Sequence, residues 1–225
     1  MRRFTLEAVD WLLGQDVKLL VLACNTATAR ALDAVRERST VPVVGVVRPG
    51  AVAAASATRS GTVGVIATAG TVESGAYPSA IVEAAPGTHV AQLACPELVP
   101  MVEAGILEGR RAETVLRSYL EPLVEGNPGI DTLLLGCTHY PLLRPVIETI
   151  VGRGVAVVDS AFTTALAVED LLDALAARAL PADDPRHRVA TTGSVDAFVG
   201  VASGLFGERL PSVEAARIEP AGAIP

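Results

Sequence analysis

"VKLLVLACNTATARALDAVRER", residues 17–38, decides the fold. Its first seven residues are an apolar run too short for a helix and apolar enough for a strand buried on both faces. At Cys24 the run stops. Asn25 and Thr26 follow, and from residue 27 to 38 the apolar residues return at helical spacing. "VPVVGVV", 41–47, then reads as a second buried strand. Strand, helix and strand in that order form a βαβ unit, which implies parallel strands joined by a crossover helix.

The same rhythm extends in both directions. Upstream, Phe4, Ala8, Trp11 and Leu12 lie at helical spacing within residues 3–14, so the chain opens in an amphipathic helix. Downstream, strands are expected at 62–68, 88–94, 131–137 and 155–160, with helices at 72–84, 97–107, 110–124, 141–150 and 162–179. "LPADDPRHR", 180–188, collects proline and charge and reads as a linker. Beyond it, "RVATTG", "VDAFVGVASGLFG" and "SVEAARI" read as strand, helix and strand.

The 225 residues are half hydrophobic and only 4% aromatic, so the core must come from Ala, Val and Leu. No apolar run approaches the roughly 20 residues that cross a bilayer, and Glu7 and Asp10 stand where a signal peptide would be apolar. The expectation is a cytoplasmic protein without a membrane partner. A formal charge of -7, with no cluster of Lys and Arg, argues against a nucleic-acid partner. Three cysteines, Cys24, Cys95 and Cys137, cannot all pair, and none has the CxxC spacing of a zinc or redox site.

The arrangement at Cys24 recurs. "LLGCTHYPL", 134–142, is again an apolar run ending in a cysteine, followed by Thr138 and His139. Each cysteine is followed at a similar distance by another buried strand, a weak internal repeat that suggests two α/β units related by a pseudo-two-fold axis. In α/β sheets ligands bind at the carboxyl ends of the strands, where helix N-termini offer free N–H groups and partial positive charge. That setting stabilises a thiolate and receives a carboxylate. Two thiols facing one small ligand suit a reaction in which a proton leaves one face of a carbon and returns to the other, one sulfur as base and the other as acid. Taken alone, a cysteine in an apolar strand is a small buried hydrophobe. For Cys95 that reading holds; for the matched pair, the chemical one is favoured. His139, two residues after Cys137, is placed to share its proton, whereas His89 and His187 are assigned nothing.

At these residues the sequence resembles the cofactor-independent aspartate/glutamate racemase family, and its glutamate-specific members in particular. The resemblance rests on "ACNTATA" (23–29) and "GCTHYPLL" (136–143), with support from "VPVVGVVRPG", "VGVIATAGTVESGAY", "CPELVPMVEAG" and "VVDSAFTTA". It implies interconversion of L- and D-glutamate for peptidoglycan, without pyridoxal phosphate, metal or nucleotide. It implies Cys24 and Cys137 as the acid/base thiols, with His139 assisting Cys137 and Glu103 as a supporting carboxylate. Asn25, Thr26, Thr68, Thr71 and Thr138 would bind the substrate. Members are commonly dimers, which makes a homodimer an open expectation.

The implied fold is α/β, with two pseudo-symmetric parallel-sheet units and the site in the cleft between them. Residues 1–48 plus 161–225 would form the first and 49–160 the second. Two family features are not found in this sequence: an Asp-Ser pair ending an opening strand, and a later Pro-Tyr-Gly segment, both contributing to the substrate site. The expectation is therefore an N-terminally incomplete first unit, with imperfect folding or weak activity. Aspartate or hydantoin racemase is an alternative within the class, and an inactive dicarboxylate-binding remnant one outside it.

Overall fold

The computed structural model describes residues 1–180, 187–206 and 211–218. The chain runs α1 (Arg2–Leu13), β1 (Leu20–Leu22), α2 (Asn25–Arg38), β2 (Val43–Gly45) and α3 (Val47–Ala57). It continues with β3 (Thr62–Ala67), α4 (Ala69–Ser74), α5 (Ala76–Ala84), β4 (His89–Ala94), α6 (Leu98–Glu103) and α7 (Gly109–Glu125). Then come β5 (Thr132–Gly136), a short 3-10 turn (Tyr140–Leu143), α8 (Arg144–Val151), β6 (Ala156–Asp159) and α9 (Ala161–Ala174). The last described elements are β7 (Val189–Thr191), α10 (Val195–Phe206) and β8 (Val213–Ala215).

All pairing among these strands is parallel. The central sheet has the order β4-β3-β5-β6, while β1–β2 and β7–β8 form separate pairs. Fully buried β5 shows how the central sheet is held. Leu133 and Leu135 face a core built from α6, α7 and α8, including Leu98, Leu116, Leu120 and Ile147. Leu134 points the other way, joining Val63, Val65, Ala51, Ala54 and Ile81 against α3 and α5. The period of two thus feeds two cores from one strand. Burial of a leucine side chain contributes roughly 1.5–3 kcal/mol, so these three residues anchor the strand that leads into Cys137.

A third core, of Val9, Leu20, Leu22, Ala31 and Val35, lies under α1 and α2. Here the structure departs from the expected strand buried on both faces. β1 is only three residues long, and Val21, between two buried leucines, is 41% exposed. Its sole described neighbour is β2, and α1 and α2 pack on one side.

Other departures have local causes. The expected helix over 72–84 is two helices, broken at Gly75, whose φ of +65° favours glycine. The expected helix at 97–107 stops at Glu103, and Gly105 follows with φ +72°. The helix expected over 162–179 ends at Ala174. The helix α3 was not expected; no element was assigned between the strands at 41–47 and 62–68. Pro49 falls in the first turn, where its missing N–H is not needed, and Val47, Ala51 and Ala54 then place one buried stripe against the sheet. Residues 181–186 of the expected linker lie outside the described residues.

Candidate active site

Cys24 lies two residues beyond the end of β1 and is the N-cap of α2 (φ -77°, ψ 124°). The turn is locked by Thr28. Its hydroxyl donates to the Leu22 carbonyl at 2.8 Å and accepts the Val46 N–H at 3.3 Å, tying β1, α2 and the end of β2 together. The thiol is exposed. It stands at the N-terminal, positive end of a 14-residue helix. Asn25, the first helical residue, is buried at 2% exposure.

Cys137 follows β5 directly and is buried. Burial pushes its thiol up; the His139 and Tyr140 N–H groups and the Thr138 hydroxyl pull it back in part, and negative charge on Cys24 pushes it up further. The influence of Cys24 makes it an electrostatic neighbour of Cys137. The turn is pinned from below, since the buried Tyr140 hydroxyl donates to the Cys95 carbonyl at 2.9 Å. Outward, the His139 Nδ1 lies 3.9 Å from the Cys137 Sγ and 3.4 Å from the Thr138 Oγ1. Its Nε2 lies 3.2 Å from the Glu103 Oε1. Carboxylate, imidazole and thiol therefore form a row, in which the carboxylate can hold the ring while the ring takes or returns the sulfur's proton.

Three hydroxyls join the start of α2, beside Cys24, to the start of α4. Thr26 lies 2.8 Å from Thr68 and 3.0 Å from Thr71, and those two lie 3.1 Å apart. Thr26 belongs to α2, Thr68 caps α4 and Thr71 is within it. Close packing supports the junction, since a Cβ on Gly70 would come within 3.1 Å of the Thr26 methyl. The Arg30 guanidinium adds a bond to the Gly70 carbonyl and an ion pair to Glu73, both at 2.9 Å.

All the residues singled out from sequence thus fall in two adjoining groups: Cys24, Asn25, Thr26, Thr68 and Thr71 in one, and Cys137, Thr138, His139 and Glu103 in the other. Cys95 is not among them. It is fully buried in the α6–α7–α8 core, where its thiol is pushed up to about 12 by burial. Sequence reasoning missed Tyr77, whose buried hydroxyl donates to the Asn25 side-chain oxygen, and Ser160 beside that hydroxyl. A signal was present, since Tyr77 is one of only 3 tyrosines and sits among small residues in "ESGAYPSA". It also missed α10, which with Glu103, Thr138, His139 and Leu142 lines a pocket of about 460 Å³ on the outer side of the Cys137 turn. Among the described residues no group of three His, Cys, Asp or Glu side chains is placed to hold a metal, and no helix is long and apolar enough to cross a membrane.

Residues 3–171 match the Asp/Glu/Hydantoin racemase family. The chain belongs to that family. Membership makes it an isomerase of the amino-acid racemase type, built on two α/β units. Among curated relatives of this racemase, the glutamate racemase of Oceanobacillus iheyensis is 44% identical over 92% of this chain and 76% of its own length. Among solved structures, glutamate racemase from Thermus thermophilus, in complex with beta-chloro-D-alanine, is 40% identical with a TM-score of 0.83, over 96% of this chain and 78% of that one. The enzyme from Francisella tularensis, in complex with D-glutamate, is 30% identical with a TM-score of 0.85, over 95% and 78%.

Proposed function

We propose that this racemase interconverts L- and D-glutamate in the cytoplasm by a two-thiol acid/base mechanism, supplying the D-isomer for peptidoglycan. The observation that carries the reading is the matched placement of Cys24 and Cys137, each at a parallel strand end and near enough for the charge of one to act on the other. The names of the relatives support glutamate as substrate. Residues 1–48 with 161–225 are assigned to one unit and 49–160 to the other; the bond from the Arg188 guanidinium to the Gln15 side chain, 3.0 Å, favours joining the two ends of the chain.

In one direction a thiolate removes the α-proton while the opposite thiol delivers a proton to the other face, leaving the sulfurs in exchanged states. The reverse reaction starts from that exchanged pair. The α-proton is weakly acidic, so the site must hold developing carbanion charge with fixed donors and little water. Asn25, Thr26, Thr68, Thr71 and Thr138 supply the donors, and the start of α2 supplies positive charge for a carboxylate. His139, backed by Glu103, relieves Cys137 of its proton when that sulfur must act as base. Discrimination against aspartate rests on one methylene, worth ~1–3 kcal/mol.

The test is racemisation followed by circular dichroism from both enantiomers, using the parent chain and the Cys24→Ser and Cys137→Ser variants, with aspartate as competitor. The reading requires turnover of glutamate in both directions and its loss in each variant. Faster turnover of aspartate would reassign the substrate, and binding without turnover would make the chain a dicarboxylate binder.

A further inference from the structure

Tyr77 is used by none of the steps above, yet it touches both halves of the site. It lies on α5, 1% exposed, in a chain with few aromatic residues. Its hydroxyl donates to the side chain of Asn25, the residue after Cys24. Its ring packs on Gly136, the residue before Cys137; a Cβ there would come within 2.9 Å of the Tyr77 Cε2. From a third side, α3 closes on the same hydroxyl, for a Cβ on Gly50 would lie 3.2 Å from it and 3.0 Å from the Ser160 Cβ. One rigid side chain therefore spans the backbone neighbours of both sulfurs and is clamped by Gly136, where a methyl group has no room, and by Gly50, where one would fit only if its neighbours gave way.

We propose that Tyr77 is a positioning residue that sets the spacing and facing of the Cys24 and Cys137 thiols, a role that rests on the two-thiol reading. The bond to Asn25 fixes the first turn of α2, and with it the N-cap sulfur, against the strand end that carries the other sulfur. The Tyr77 hydroxyl is taken up by Asn25 and enclosed by Gly50 and Ser160, which leaves it no part in substrate binding in this proposal. Its effect is on geometry: reversal of configuration needs both sulfurs on opposite faces of one carbon, whereas exchange of the α-proton with solvent needs only one.

That asymmetry supplies the test. Tyr77→Phe keeps the ring on Gly136 and removes the bond to Asn25, while Gly50→Ala pushes the ring from α3 and leaves every cysteine neighbour unchanged. Both are made in a Cys95→Ala background, so that only two thiols remain. Proton NMR in deuterated water compares solvent exchange without inversion against inversion, and dibromobimane, which links two thiols only when they lie close, reads the sulfur spacing without substrate. Misplacement by about 1 Å costs ~100-fold in a well-oriented reaction, so a partial displacement is expected to raise the exchange-to-inversion ratio about tenfold in Tyr77→Phe and to slow bridging. Gly50→Ala should shift both in the same direction.

A merely structural role would lower exchange and inversion together, with the ratio and the bridging rate unchanged, and would overturn the proposal. So would failure of the two thiols to bridge in the parent chain. If neither enantiomer exchanges with the parent chain while bridging still slows in both variants, the glutamate racemase reading falls and the placement of the thiols by Tyr77 stands.

Discussion

The turns at Cys24 and Cys137 occupy equivalent places in the fold but are built in opposite ways. Cys24 is exposed and caps a long helix, and among the described residues no imidazole or carboxylate is hydrogen-bonded to it; the short strand behind it is open on one side at Val21. Cys137 is buried at the end of a strand closed on both faces, and is followed by a short 3-10 turn instead of a long helix. In place of a helix dipole it has the row of His139 and Glu103. On the proposed two-thiol reading each sulfur must gain and lose a proton, and the two turns would meet that requirement with different surroundings: a helix N-terminus at Cys24 and the His139–Glu103 row at Cys137.

The largest effects should come from removing either sulfur. Cys24→Ala and Cys137→Ala are each expected to reduce inversion by at least ~10³-fold, within the range for a positioned acid/base group, when racemisation is followed by polarimetry. Equal survival of activity in either variant would break the comparison, since one sulfur would then suffice.

His139→Asn should cost ~10–100-fold, less than loss of the sulfur it serves. Enantiomers are equal in free energy, so kcat/KM must fall equally in both directions. The separate values of kcat and KM should instead diverge between L- and D-glutamate, because only one direction uses Cys137 as base. Identical changes in kcat from both sides would remove His139 from the proton path.

Thr138→Val tests the balance at the buried sulfur. The Thr138 hydroxyl is one of the groups that pull the thiol back down against burial, so its loss should move Cys137 further up. Alkylation by iodoacetamide, measured with Cys24 and Cys95 replaced by Ser, should then require higher pH than in the Thr138 parent. A shift toward lower pH would contradict the assignment.

The smallest expected effect concerns the anchor of the Cys137 strand. The Asp131 carboxylate accepts the Thr58 hydroxyl at 2.6 Å and the Arg59 and Ser60 N–H groups at 2.8 and 2.7 Å. Burial pushes this carboxyl up, but these bonds together with the Thr132 hydroxyl outweigh it and hold the carboxyl well below the usual range. A depressed carboxyl contributes stability above its unfolded value, near 4, and loses it as pH falls through the folded one. Asp131→Asn should therefore lower Tm by a few degrees at neutral pH, roughly the effect of 1 kcal/mol, and the gap to the parent should narrow below about pH 4.

The parallel α/β plan was legible because the continuous apolar run of "TLLLG" and the helical spacing of "ATARALDAVRER" are strong. α3 was hidden because proline and glycine mark turns unless the first helical turn absorbs the proline and a tyrosine packs against the glycine. The open face at Val21 departs from the burial on both faces read from the apolar run, although the incomplete first unit expected from the sequence already left that strand short of neighbours. Among site residues, those adjoining a cysteine were readable from local motifs. Tyr77 and Ser160 were not: a lone tyrosine among small residues marks a packed position, but that it meets Asn25 and Ser160 depends on how α3, α5 and the start of α9 come together.

The central claim, two sulfurs working on opposite faces of one carbon, is tested most directly by proton NMR of the chain with L-glutamate, and separately with D-glutamate, in deuterated water. The account predicts loss of the α-proton signal from both, with inversion and with deuterium entering the enantiomer formed. No exchange from either enantiomer, in a sample whose circular dichroism shows it folded, would contradict it.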